Sequence, residues 1–260
     1  MKRKKERLKL YMEAGLAVLL VIGLAAGGRA GLFEKAVNAA EELTGAVQED
    51  TGSAEEEKGT ESGSGEENSA SDASAGAEEA IADGQYPIMG SSSVTTQEMV
   101  DYFNASGETY PSEALSQGGA DSIETFCQMY YDEACAEGVR PEVAFAQTMK
   151  ETGFLQYGGD ASIEQFNFAG LGTTGGGVPG NSYPDVRTGI RAQIQHLKAY
   201  ATTDALAQEC VDDRYEYVKK GSAPYVEWLG QQENPEGVGW ATGDNYGYDI
   251  VSMIREMRGE

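Results

Sequence analysis

The chain has 260 residues, 40% of them hydrophobic, and a formal net charge of −24 at pH 7. That length holds one or two domains. Residues 85–260 set ten cations against twenty-six acidic groups, which makes them a poor candidate for nucleic-acid binding because that needs cations against phosphate.

The first nine residues, MKRKKERLK, hold six cations, and an uncharged run, AGLAVLLVIGLAAGG, follows from Ala14 to Gly28. A basic segment (1–13) ahead of an apolar one (14–30) is the pattern of an export signal. The apolar run is shorter than the roughly 20 residues that span a bilayer, but Lys9 and Arg29 can snorkel and lengthen it. It reads as an uncleaved membrane anchor with the remainder outside the cell. The alternative is cleavage near Gly28-Arg29-Ala30, which would release a secreted protein. Leu32 to Val47 can form a short amphipathic helix. Residues 49–84 then carry one lysine against twelve acidic groups among Ser, Gly and Ala. That composition buries too little apolar surface to offset ordering entropy, so 31–84 is expected to end in a disordered acidic linker. A flexible coil of this length would span roughly 30–36 Å.

Helical patterning begins further on, and 85–260 reads as one mainly α domain. Residues 85–120 are expected as either a helical preface to the fold or a wall of the substrate cleft. A helix is expected over Asp121–Ala136, with Asp121 as N-cap, Glu124 completing a capping box and Gly138 as the stop. Pro141 suits the first position of the next helix, PEVAFAQTMKET, and Gly153 ends it. Asp185 can cap a third, VRTGIRAQIQHLKAYA, whose Ile190, Ile194 and Leu197 fall at core spacing. Short helices are expected at Arg214–Lys220 and Pro224–Leu229. A last one runs from Asn245 to Met257. No run alternates as a strand does, but the glycine-rich stretch between Gly158 and Pro184 can form a small β-like lip.

Cys127, Cys135 and Cys210 cannot make a complete disulfide set within one chain. Cys127 and Cys135 stand about 12 Å apart along one helix, too far to bridge. All three are expected as small buried hydrophobes, with a link to Cys210 as the alternative. No pair has metal-ligand spacing and His196 is the single histidine, so no metal and no organic cofactor are expected. His196 itself reads as a structural side chain within its helix. Gly170-Leu171-Gly172-Thr173-Thr174-Gly175 matches G-x-G-x-x-G, yet it follows no strand and opens no helix, so a dinucleotide site is rejected.

The chemistry centres on Glu151. Ala144, Gln147 or Thr148, and Glu151 share one face of the second helix. Glu151 lies in its last turn, where the macrodipole disfavours an anion, and Phe154 and Leu155 follow. Both effects raise a carboxyl pKa, as a general acid requires near neutral pH. The competing reading is an ordinary solvated charge at a helix end.

The pieces AFAQTMKETGFLQYGGD (144–160), QFNFAGLG (165–172), SYPDVRTGIRAQIQHLKAYA (182–201) and GWATGDNYG (239–247) resemble the glucosaminidase domain of bacterial cell-wall hydrolases, glycoside hydrolase family 73. The resemblance implies a lysozyme-like helical fold that hydrolyses peptidoglycan strands after N-acetylglucosamine. Gln147 and Glu151-Thr152-Gly153 match the family's Gln-x-x-x-Glu-[Ser/Thr]-Gly motif, so Glu151 inherits the role of general acid. The family places a second glutamate in the lip, but no acidic residue lies between Gly172 and Ser182. Its Tyr-Ala-Thr-Asp motif is here Trp240-Ala241-Thr242-Gly243, with Asp244 one place later. The second group is therefore open among Asp160, Glu164, Asp185 and Asp244, or falls to the substrate's own acetamido group. Gln147, Asn167, Phe168, Gly170, Trp240 and Tyr246 are candidate substrate contacts, Asn167 through its amide and Trp240 by stacking on a sugar. The expected function is an endo-β-N-acetylglucosaminidase. A lytic transglycosylase needing one glutamate, or an inactive glycan-binding module, are the alternatives.

Overall fold

The structure, a computed structural model, describes residues 81–173 and 176–260. The basic segment, the anchor at 14–30, the Leu32–Val47 helix and nearly all of the acidic linker lie outside the described residues. Among those residues no helix is long and apolar enough to cross a membrane.

Six α-helices appear among the described residues: α1 Thr96–Ser106, α2 Ser112–Leu115, α3 Ile123–Glu137, α4 Pro141–Thr152, α5 Val186–Ala201 and α6 Tyr246–Met257. No extended strand accompanies them there. Isolated bridges pair Pro87 with Tyr225, Met89 with Val139, and Gly230 with Ala241. The mainly α expectation holds, and the described residues of the lip form turns with no extended strand.

Local chemistry explains most boundaries. Thr95 and Glu98 form a capping box that starts α1, satisfying backbone donors that a helix leaves unpaired. Ser122, not Asp121, caps α3 by accepting the Thr125 amide. Asp121 instead accepts the Thr125 hydroxyl at 3.1 Å, because Ser122 is the residue in the extended conformation that an N-cap needs. Gly138 at φ 74° and Gly153 at φ 59° are the left-handed stops of α3 and α4. Pro141 opens α4 and Asp185 caps α5 through the Thr188 amide. The helices expected at Arg214–Lys220 and Pro224–Leu229 are single 3-10 turns, Tyr215–Tyr217 and Val226–Leu229. These segments are too short to nucleate an α-helix without tertiary support.

Helix α4 runs through the middle of the bundle, packed by α3, α5 and α6. Every residue from Pro141 to Met149 is buried, and Lys150 and Glu151 are the first to meet solvent. Phe103, Phe126, Tyr130 and Phe168 share the core with Phe145 of α4, joined by edge contacts such as Phe126–Phe168 at 5.2 Å and Tyr130–Phe145 at 5.8 Å. Residues 85–120 pack into the helical core. Met99, Val100, Phe103 and Leu115 are core residues, while Tyr102 stacks on Phe154 at 5.7 Å beside the end of α4. Ahead of α1, Tyr86 to Gly90 bonds on one side to Pro224 and Val226 and on the other to Gly138 and Arg140.

The cysteines differ from expectation. Only Cys127 is buried; Cys135 and Cys210 are exposed, and all three are free. Cys135 sits on the outer face of α3 and Cys210 in a surface loop, where a small side chain needs no core partner.

Candidate active site

The backbone just beyond Glu151 is unusual. Gly153, Phe154 and Leu155 have φ of 59°, 58° and 64°, and Tyr157 has 55°. Residues with a Cβ pay about 1–2 kcal/mol each for that conformation, so the turn persists because its surroundings over-determine it. Thr152 is the pin. Its hydroxyl donates to the Thr148 carbonyl at 2.7 Å and accepts the Leu155 amide at 2.9 Å. The Phe154 amide returns to Met149 and the Tyr157 amide to Thr152, while Leu155 is buried. The left-handed turn ends α4 sharply and leaves Glu151 half-buried at its edge.

A directional hydrogen-bond chain reaches this carboxyl from the core. The Tyr246 hydroxyl donates to Glu151 Oε1. Gln147 Nε2 donates to the Tyr246 oxygen at 3.1 Å, and Gln193 Nε2 donates to Gln147 Oε1 at 2.9 Å. Gln193 Nε2 also donates to the Ala144 carbonyl at 3.0 Å, and Gln193 Oε1 lies 2.8 and 2.9 Å from the Tyr130 and Thr148 hydroxyls, which are bonded to each other at 2.6 Å and give their remaining proton to it. Buried polar groups are costly unless bonded in this way. The chain draws on α3, α4, α5 and α6, so the bundle as a whole holds one carboxyl oxygen.

Burial pushes the Glu151 carboxyl above the ordinary carboxylate range, against the Tyr246 hydrogen bond and the Lys150 ammonium, which act to lower it. Burial and the adjoining carboxylate in turn push the Tyr246 phenol well above its ordinary value, so it remains a donor. Lys150 pairs with Asp249 at 2.8 Å and lies 5.5 Å from the centre of the Tyr246 ring.

Of the predicted site residues, Gln147, Glu151 and Tyr246 come together. Tyr246 is 3% exposed, so it holds Glu151 rather than a sugar. Gln147 is fully buried and likewise acts from beneath. Asn167 is 1% exposed and its amide is spent on the lip. Oδ1 accepts the Leu171 amide at 3.0 Å, and Nδ2 donates to the Leu171 and Asn181 carbonyls at 2.8 and 3.1 Å. Gly170, at φ 62°, closes that turn, where a glycine is favoured. Asn167 to Gly170 thus shapes the lip, and the Asn167 amide does not present itself to an acetamido group. Phe168 lies in the core. Trp240 is half-buried, with its ring 4.9 Å from His196 and 5.9 Å from Tyr200. His196 is structural as expected, bonded to buried Asp212 at 2.6 Å.

The four candidates for a second carboxylate occupy different settings. Asp185 is committed to capping α5 at 2.7 Å from the Thr188 amide. Asp160 is exposed and accepts the Gly177 amide at 2.9 Å, tying the lip to the loop after α4. Glu164 is exposed and accepts from the Ser162 hydroxyl, which holds its carboxyl below the ordinary range. Asp244 is exposed in the turn before α6. Among the described residues no group of three His, Cys, Asp or Glu side chains could hold a metal ion.

Sequence reasoning missed Gln193, Tyr130 and Thr148 as supports of the site. One signal existed for Gln193: it stands inside an amphipathic helix between buried Ile190 and Ile194, where a polar side chain needs a buried partner.

Comparison with known proteins gives a family. Residues 127–259 match the model of the glucosaminidase family, described as mannosyl-glycoprotein endo-beta-N-acetylglucosaminidase. A protein of Borreliella burgdorferi, described only as uncharacterized, is 35% identical over 143 residues, which is 52% of this chain and 70% of that protein. No solved structure matches significantly.

Proposed function

This chain belongs to the glucosaminidase family, and from that premise we propose that it is a peptidoglycan hydrolase, an endo-β-N-acetylglucosaminidase of lysozyme-like fold with Glu151 as its general acid. The observation that carries the reading is the setting of Glu151. It is the one acidic side chain of α4 that reaches solvent, a neighbouring hydroxyl fixes one oxygen, and burial favours its protonated form. A glycan strand laid across the end of α4 receives the Glu151 proton on the glycosidic oxygen as the bond from that oxygen to C1 breaks. Water then adds its oxygen to C1, and its proton returns the acid to its starting state. The group that balances charge at C1 is an exposed carboxylate, Asp160, Glu164 or Asp244, or the substrate's acetamido oxygen. Asp185 is the weakest of the four because its carboxylate is already bound to a helix end.

The basic segment 1–13 and the apolar segment 14–30 support a protein anchored in the cell membrane with this domain outside. The acidic stretch between them and the domain would be its tether, and peptidoglycan strands its partner. The test is release of new reducing ends from purified peptidoglycan by the full chain. Glu151→Gln keeps the shape of the side chain and removes the acid, so the rate is expected to fall by about 10²–10⁴-fold. A Glu151→Gln protein as fast as wild type would refute the assignment.

A further inference from the structure

Resting on the reading of Glu151 as the acid, we propose that Gln193, from inside the helical core, is a positioning residue of the site: it sets the orientation of the Gln147 amide and thereby obliges the Tyr246 hydroxyl to donate to Glu151. A tyrosine hydroxyl has a single proton to give. It can point at Glu151 or at Gln147, and the choice depends on which end of the Gln147 amide faces it. Gln193 removes that freedom. Its own amide is oriented by the Ala144 carbonyl, 3.0 Å from Nε2, and by the Tyr130–Thr148 hydroxyl pair, whose members are bonded to each other at 2.6 Å, lie 2.8 and 2.9 Å from Oε1 and have one proton left to give it. With Nε2 committed as the donor to Gln147 Oε1 at 2.9 Å, Gln147 turns its own Nε2 to the Tyr246 oxygen at 3.1 Å. The phenolic proton then has one remaining acceptor, Glu151 Oε1.

The consequence is chemical. A hydrogen bond donated to a carboxyl stabilises its anion, so Tyr246 keeps the acid from becoming too reluctant to release its proton after burial has raised its affinity for one. Holding Oε1 also leaves Oε2 to carry the proton that reaches the substrate. The chain is not a proton wire, because two amide side chains interrupt it, and the proton must be restored from the solvent side. Gln193 and Gln147 are both fully buried, so neither can be explained as a substrate contact. Among the described residues the charged groups beside Glu151 are Lys150 on its own helix, and Asp249 of α6 paired with Lys150 at 2.8 Å. Tyr200 of α5 is a further titratable group near Tyr246.

The test uses the full chain as wild type, Tyr246→Phe, Gln193→Met and the double variant. Two readouts are followed: the Glu151 titration by NMR of carbon-13-labelled glutamate, and the pH profile of kcat/KM on peptidoglycan fragments. Tyr246→Phe is expected to raise the pH at which Glu151 titrates, to move the alkaline limb of kcat/KM the same way, and to lower kcat by about 10–100-fold with KM nearly unchanged. Gln193→Met should move both in the same direction, and should have little further effect on either in the Tyr246→Phe background. A Gln193→Met protein with a lower melting temperature but wild-type titration and alkaline limb would show a merely structural residue and overturn the proposal. If Gln193→Met does not fold, Gln147→Met takes its place under the same criteria. The NMR titration needs no activity, so an inactive wild-type chain would count against the functional reading while the positioning claim stands or falls on the titration.

Discussion

Two glutamates sit on α4 and meet different fates. Glu142 is sealed in the core and receives the Tyr86 hydroxyl at 2.9 Å, whereas Glu151 lies where the helix surfaces. The spacing of Gln147 and Glu151 was legible because both lie on one helix and local geometry alone puts them on one face. The partner that completes the pair was not, because Tyr246 is 95 residues away in sequence, and nothing local distinguishes it from Trp240 or Tyr248 nearby. The same limit hid Asn167. Its amide pointed to a polar task, but only the folded loop shows that Leu171 and Asn181 consume it. At this scale the Lys150–Asp249 pair makes a prediction. The Lys150 charge lowers the Glu151 pKa, and Asp249 neutralises part of that charge. Asp249→Asn should therefore leave Glu151 more acidic, so the protonated form is lost at lower pH. The alkaline limb of kcat/KM is expected to move down, opposite to its movement in Tyr246→Phe; an unmoved limb would mean that solvent screens the pair.

The elements were readable where a single residue decides a boundary. Gly138, Pro141, Gly153 and Asp185 act by backbone geometry or by one side-chain bond, and each stands where its chemistry predicts. The choice between Asp121 and Ser122 was not readable, because both side chains can accept from the same turn. The left-handed run after α4 was also hidden. Gly153 announces one such residue, but Phe154 and Leu155 are poor candidates for two more. They adopt it because Thr152 spans the junction and Leu155 and Phe154 find apolar partners. Thr152→Val removes the hydroxyl at nearly constant volume and leaves the buried Leu155 amide without its acceptor. The expected loss is about 1–3 kcal/mol of unfolding free energy, measured by denaturant titration. Thr152→Ser should retain most of it, and equal stability of the Val and Ser variants would contradict the role given to the hydroxyl.

For the molecule as a whole, the loop from Thr202 to Arg214 is fastened to the bundle by buried carboxylates. Glu137 is 2% exposed. It accepts Lys198 Nζ at 2.9 Å and the Ala207 and Gln208 amides at 2.8 and 3.1 Å. Burial alone would raise its pKa, but these donors outweigh it and hold the carboxyl below the ordinary range. A depressed folded-state pKa supplies stability above the unfolded value, near 4.3, which is lost as pH falls through the folded one. Glu137→Gln, which strands buried Lys198, should cost about 3–5 kcal/mol at neutral pH. The gap in melting temperature from wild type should narrow below about pH 4, and a gap independent of pH would show that the charge is irrelevant. At this scale the helical class and the family were legible from patterning and motifs, while the packing of residues 85–120 into the same core was not. The measurement that tests the central claim most directly is the mass of the fragments released from peptidoglycan, after borohydride reduction, by wild type and by Glu151→Gln. Fragments ending in reduced N-acetylglucosamine, made only when Glu151 is present, are the expected result. Anhydro ends, reduced ends on the other sugar, or equal release by both proteins would contradict it.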